Sequence, residues 1–354
     1  MRDASRAFLV EIANTASPSG YEQGVARLYR EYVGQFTEHV DTDVHGNVTA
    51  VLNPDAPMKI MLAGHMDEIG FIIHHIDANG FLSFSSIGGN DSVVPVGQRV
   101  WVHGRERVPG IIGRKAMHLM GNEETKKKPL LGELWIDIGA SSRSEAEAVL
   151  QLGDVVTFQH EFQGLIGDRV AARGLDNKAG MFIVAEAMRL LSDGDLLSDS
   201  VGVYAVATVQ EEIGSRGAQT SAFRIGPQSG IAVDMEQAVD YPGVIASQHG
   251  ERDIGKGPTI ARGPNTNHKV FQLLTEAARL EQIPYQVSIL PGTSPTDENK
   301  MQLSRDGMAT GLIGVALRYM HTPSELVSLT DVEDCARLLA AYCRLITPDT
   351  DFTP

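Results

Sequence analysis

The chain has 354 residues, 42% of them hydrophobic, which is ordinary for a soluble globular protein but long for one core, since single cores stop growing at about 250–300 residues. Thirty Lys and Arg against 45 Asp and Glu leave a net charge of −15, which argues against the basic surface that a nucleic-acid partner requires. No apolar run approaches the roughly 20 residues that span a bilayer and the N-terminus lacks a signal-peptide core, so a cytoplasmic protein with no membrane partner is expected.

In chain order, residues 5–36 read as one or two helices broken at Ser17-Pro-Ser-Gly20. Short strands are predicted at 48–52 and 59–64. Beyond Gly70 the texture changes. Segments 71–75, 81–87, 98–103, 110–114, 133–138 and 154–160 look like short β elements separated by Gly, Pro, Asn and Asp, with one helix at 142–151. Many short strands with turn signals indicate a compact β-rich unit. From Arg173 helix and strand alternate: a helix at 176–192 with Asp176-Asn177 as its N-cap, strands at 201–209 and 230–234, a helix at 270–282, strands at 286–290 and 311–317, and a closing helix at 331–346. Cys335 and Cys343 fall on that last helix, a spacing that suits neither a disulfide framework nor a Cys-rich zinc site. Alternation of this kind implies an α/β fold, a mostly parallel mixed sheet flanked by helices. The economical organisation is a catalytic domain made of residues 1–70 plus 166–354, split by an inserted β-rich domain at 71–165.

The apolar strands end on ionisable residues. One runs into His65-Met-Asp67-Glu68, the next into Glu211-Glu212, another into Asp234, and the last into Arg318-Tyr-Met-His321. Open α/β sheets bind ligands outside the carboxyl ends of their strands. A single histidine past a strand is commonly a structural residue, and paired glutamates commonly sit on a solvated face. Several strands ending this way on one edge is another matter, because unpaired buried charge costs several kcal/mol. A cation removes that cost, and two histidines with hard oxygen donors are zinc-like chemistry.

Four motifs carry a family resemblance. Ala63-Gly-His65-Met-Asp67-Glu68-Ile-Gly70, Arg173-Gly-Leu-Asp176-Asn177-Lys178-Ala-Gly180, Val209-Gln-Glu211-Glu212-Ile-Gly214 and Arg318-Tyr-Met-His321-Thr-Pro-Ser-Glu325 resemble the tetrahedral (TET) aminopeptidases. These are dinuclear metallopeptidases of the co-catalytic zinc aminopeptidase clan. The resemblance implies a metal held by His65, Asp176 and Asp234, and a second held by Asp176, Glu212 and His321, with Asp176 bridging. It implies Glu211 as general base toward an activated water, and Asp67 as the carboxylate that orients the His65 ring. It further implies two divalent cations per chain (zinc first, with cobalt and manganese accepted by the same donors), short peptide substrates, and a homo-oligomer, a dodecamer built from dimers through the inserted domain. Lys178 departs from the pattern, standing where an Arg is common. The loop at 291–299 is related but not identical to a Gly-Thr-Asp-Ala-type segment and is expected to line the substrate pocket. The loop at 117–130, with its Glu-Glu and Lys-Lys-Lys runs, is expected to be mobile.

Other readings compete with this one. A deacylase or carboxypeptidase of the same clan needs a basic residue aimed at the site, for which Arg318 and His249 are the candidates. A glycoside hydrolase needs two carboxylates flanking a sugar and leaves His65 and His321 without a role. A non-catalytic scaffold leaves the whole cluster unexplained.

Overall fold

A computed structural model describes residues 1–194 and 197–354. Its largest sheet has eight strands, in the spatial order Val40–Thr42, Val48–Leu52, Val201–Thr208, Met58–His65, Ser229–Gln237, Ala309–Leu317, Thr259–Arg262 and Gln286–Ile289. The four central strands run parallel, and antiparallel pairings flank them on both sides. These four are buried along nearly their whole length, as parallel strands covered on both faces must be.

Alternation along one strand separates the two layers of core. Ile60 and Leu62 face the larger cluster, with Phe8, Leu9, Phe182, Leu274 and Leu339 from four helices. Met61 and Ala63 face the other way, toward Ala218, Ala222 and Met301. The helix Leu175–Ser192 rides unusually close to this strand. A Cβ on Gly64 would stand 2.6 Å from the Met181 nitrogen, so glycine there is what lets the helix start beside His65.

The inserted segment forms a closed barrel, with strands in the order Gly70–Ile76, Leu82–Ile87, Trp135–Asp137, Arg107–Gly113, Arg99–His103 and Val155–Phe158. Phe71 packs edge-to-face on Phe84 and Phe158, and Val100, Val102, Ile112 and Ile136 complete a core of its own. Closure removes the open strand edges that invite aggregation.

Several expectations need correction. Of the expected Asp176-Asn177 cap, Asn177 alone plays the part, its Oδ1 accepting the Gly180 backbone N–H at 3.0 Å, while Asp176 does not cap. Gly174 occupies the cap position in the left-handed region, and both residues have non-helical backbone angles within the first turn. The predicted strand at 230–234 continues to Gln237, because its pairing with Ala309–Leu317 carries on past Asp234. Asp234 therefore lies inside a strand rather than at its end. The helix Arg216–Ile225 was missed. Gly217, Thr220 and Ser221 weaken its helix propensity, yet a side chain at 217 would collide with Val209. Also missed were the helix Asp297–Gln302 and a three-stranded sheet of Gln163–Gly164, Arg169–Ala172 and Glu325–Ser328.

Candidate metal centre

Register brings the strand ends level. His65 pairs with Thr208, which places Glu211 and Glu212 just past the same edge. Ala232 pairs with Ala63, so Asp234 stands level with His65 on its other side. Asp176 arrives from the irregular first turn of the helix Leu175–Ser192. His321 arrives from the loop after Ala309–Leu317, with a left-handed φ of 59°.

The donor atoms form two groups that share one residue. His65, Asp176 and Asp234 make one, and Asp176, Glu212 and His321 the other; within each, the donor atoms lie within 4.8 Å of one another. The two oxygens of Asp176 face different histidines. Its Oδ1 is 3.4 Å from His65 Nε2, and its Oδ2 is 3.4 Å from His321 Nε2. His65 Nε2 is 3.7 Å from Asp234 Oδ1, and His321 Nε2 is 3.6 Å from Glu212 Oε2. Donors around a tetrahedral cation with bonds of about 2.0–2.2 Å stand roughly 3.4 Å apart. These separations fit a pair of such cations bridged by Asp176.

Electrostatics agree with that fit. Burial, together with Asp234 and Asp297, pushes the Glu211 carboxyl up to about 8. Burial and the neighbouring Asp176 push Glu212 up to about 9. His321 is raised to about 9, chiefly by its bond to Asp176. Burial alone would lower His65, but Asp176, Asp234 and Asp67 outweigh it and hold the ring well above its usual range. Buried Glu212 Oε1 has no hydrogen-bond partner among the described residues.

Glu211 belongs to neither donor group among the described residues. The Ser215 hydroxyl donates to its Oε1 at 2.9 Å, while Oε2 points toward the cluster, 3.9 Å from His65 Nε2. Asp67 does more than the sequence suggested and something different. Its Oδ1 accepts from the Glu211 backbone N–H at 2.9 Å and its Oδ2 from that of Glu212 at 3.1 Å. The Ser19 hydroxyl donates to Oδ2 at 2.6 Å. His65 Nδ1 lies 3.1 Å from the Asp67 backbone oxygen and 3.4 Å from its carboxylate. Asp67 therefore positions the glutamate pair, and its main chain meets the imidazole more closely than its side chain does.

All seven residues singled out from the sequence, His65, Asp67, Asp176, Glu211, Glu212, Asp234 and His321, converge here. Arg318 and His249 do not. Arg318 forms a two-pronged pair with Asp240, at 2.8 and 2.6 Å, and His249 ends the short helix Ala246–His249 without lining the cavity. That cavity has a volume of about 500 Å³ and is bordered by Met235, Gln237 and Met320 as well as Pro295 and Thr296 of the 291–299 loop.

Sequence reasoning missed three contributors. Buried Asp297 accepts from the Thr208 hydroxyl at 2.5 Å. Glu325, quoted within a motif but given no task, contacts two of the donor segments. The Gly89 carbonyl stands 2.8 Å from His321 Nδ1. A Cβ on Gly89 would meet the His321 ring at 3.3 Å. Gly89 follows a barrel strand, so the inserted segment touches the centre at this point.

Residues 46–338 match the family described as M42 glutamyl aminopeptidase. The lysyl aminopeptidase of Pyrococcus furiosus is 34% identical over 98% of this chain and 99% of its own length. A TET aminopeptidase from the marine sediment archaeon Thaumarchaeota archaeon SCGC AB-539-E09 superposes with a TM-score of 0.93 at 32% identity, over 98% of both chains. The Pyrococcus horikoshii TET1 peptidase, which can assemble into a tetrahedron or a large octahedral shell, superposes with a TM-score of 0.83 at 29% identity, over 96% of this chain and 99% of that one.

Proposed function

This chain belongs to the M42 glutamyl aminopeptidase family and is a peptidase, and from that premise we propose that it removes N-terminal residues from short peptides with two divalent cations and Glu211 as general base. The observation that carries the reading is the pair of donor groups sharing Asp176, with one carboxylate left outside both. His65, Asp176 and Asp234 would hold one cation, and Asp176, Glu212 and His321 the other. Bound there, the pair would supply Lewis-acid polarisation of the scissile carbonyl and make water acidic enough to attack near neutral pH.

The protein's own groups do the rest. Glu211 Oε2 takes a proton as the water oxygen bonds to the carbonyl carbon. The same carboxyl returns that proton to the leaving nitrogen as the C–N bond breaks. The products are a free amino acid and a peptide one residue shorter. Ser215 and Asp67 keep Glu211 pointed at the reacting atoms. A cavity of about 500 Å³ admits an end of an extended chain and no folded domain, which favours short peptides. The mixed N and O donor set suits zinc first and accepts cobalt or manganese. For assembly we propose that the barrel segment, residues 71–165, joins chains into a dodecamer built from dimers, as the structural likeness to TET peptidases supports.

Chelation tests the catalytic half of this proposal. Dialysis against a chelator should abolish hydrolysis of aminoacyl-chromophore substrates, and Zn²⁺, Co²⁺ or Mn²⁺ should restore it with two ions bound per chain. Full activity in a demonstrably metal-free sample overturns it. Light scattering near twelve chains tests the assembly, and a fully active monomer overturns that part alone.

A further inference from the structure

Asp176 and His321 are 145 residues apart in sequence, yet one side chain holds both. Glu325 Oε2 accepts the Asp176 backbone N–H at 3.0 Å, and Glu325 Oε1 accepts that of His321 at 2.9 Å. Glu325 is itself 2% exposed. Its strand fixes where it stands. Glu325 pairs with Ala172 in the small three-stranded sheet, which brings the turn leading to Asp176 alongside. Reciprocal backbone bonds between Arg318 and Leu326, at 3.0 and 3.1 Å, close the loop that carries His321.

Both residues held in this way have backbones that do not hold themselves. Asp176 sits in the first turn of a helix with φ −81° and ψ 101°, so its N–H is outside the helical ladder. His321 is left-handed at φ 59°, a region a residue with a Cβ rarely adopts without support. A carboxylate suits this place because it accepts at both oxygens and donates at neither. An amide in the same position would turn an N–H group toward one of the two backbone N–H groups.

We propose that Glu325 is a positioning residue that locks the bridging aspartate and the terminal histidine into one metal-binding geometry. This rests on the two-cation reading of the site. Among the described residues the Glu325 carboxylate hydrogen-bonds to the backbones of Asp176 and His321 and to no proposed metal-donor atom, so its effect passes through those backbones. Loss of the lock falls hardest on the group containing both residues, Asp176, Glu212 and His321. The group of His65, Asp176 and Asp234 keeps two donors that Glu325 does not support.

Co²⁺ titration of the full-length, chelator-stripped protein, followed by calorimetry and by visible absorption, tests this. Wild type should bind two ions. Glu325→Gln should still bind the tighter ion, but bind the second 10–100-fold more weakly, the usual cost of losing an outer-shell partner, with a changed absorption band for that ion. Its kcat at subsaturating Co²⁺ should fall with KM unchanged, and saturating Co²⁺ should recover most of the loss. The metal-free Glu325→Gln protein should remain folded at the titration temperature by circular dichroism, and rescue by saturating Co²⁺ is what a general structural role would not allow. Glu325→Ala should weaken the second ion further. If Glu325→Gln binds both ions as wild type does, with the same spectrum, the lock is refuted while the two-cation reading stands. If wild type itself binds no pair of ions, both fall together.

Discussion

The barrel and the edge of the large sheet are opposite solutions to burial. The barrel fills its interior with Phe71, Phe84, Val100, Ile112 and Ile136 and leaves ion pairs such as Lys115–Glu124 and Lys126–Glu123 on its exposed surface, where they contribute little. The sheet edge does the reverse, burying His65, Asp67, Asp176, Asp234, Asp297 and Glu325 together. The first region buries an apolar core. The second brings together like charges that the proposed cations would balance. The contrast teaches that, on the two-cation reading, the two regions should fail differently, one by unfolding and the other by losing ions while the fold stays intact.

The sharpest break between them is at Glu211. Glu211→Gln keeps size and shape and should lower kcat by about 10²–10⁴, the range of a lost general base, with metal content still two per chain by elemental analysis. Loss of metal in this variant, with retention in Glu212→Gln, would reverse the roles of the pair.

Glu68 lies next in expected effect. Arg173 and Lys178 both reach its buried carboxylate, the lysine at 2.9 Å, and the Ser17 N–H donates to it at 2.8 Å. Glu68→Gln leaves two cations facing a neutral group and should cost about 3–5 kcal/mol, as broken buried pairs do, read as a fall in Tm. Burial opposes the charged form of Glu68, but Arg173 and Lys178 outweigh it and hold the carboxyl at about 2 against an ordinary 4.5. A lowered folded-state value means its stabilisation is complete above 4.5 and is lost as pH falls from there toward 2. Wild type should therefore lose stability more steeply than Glu68→Gln across that window in acid melts. Equal slopes would show that the cluster does not contribute as argued.

The barrel has its own test in Phe71→Ala. Removing a fully buried ring should cost about 3–5 kcal/mol, while the surviving folded fraction binds metal with wild-type affinity. A parallel loss of metal affinity would mean that the two regions are not separable. The smallest effect probes a place where they touch. Gly89→Ala puts a methyl against the His321 ring and should reduce kcat several-fold without lowering Tm. No change in kcat would show that the barrel side leaves that histidine free to move.

Much of this arrangement was legible in the chain. The apolar runs before His65, Glu211 and Asp234 announce buried parallel strands by their lack of alternation, and carboxyl ends of such strands are where ligands bind. The seven proposed site residues follow from those positions together with the motif resemblance. Other elements were not legible. The helix Arg216–Ile225 is composed of residues that favour it weakly and exists because it packs on Met61 and Val206. Asp176 reads as a helix cap in sequence because Asp before a helical run is the usual cap signal.

What the sequence by itself determined, then, is which residues end each strand and which chemistry they bring. Tertiary structure alone decided that Glu325 joins Asp176 to His321, that Gly89 meets the His321 ring from the barrel side, and that Asp67 serves the backbone of the glutamate pair. The reason is physical. A strand or helix writes its period into neighbouring residues, so it can be read locally. A hydrogen bond between segments more than a hundred residues apart leaves no periodic trace, and only the register of the folded sheets brings its two ends together.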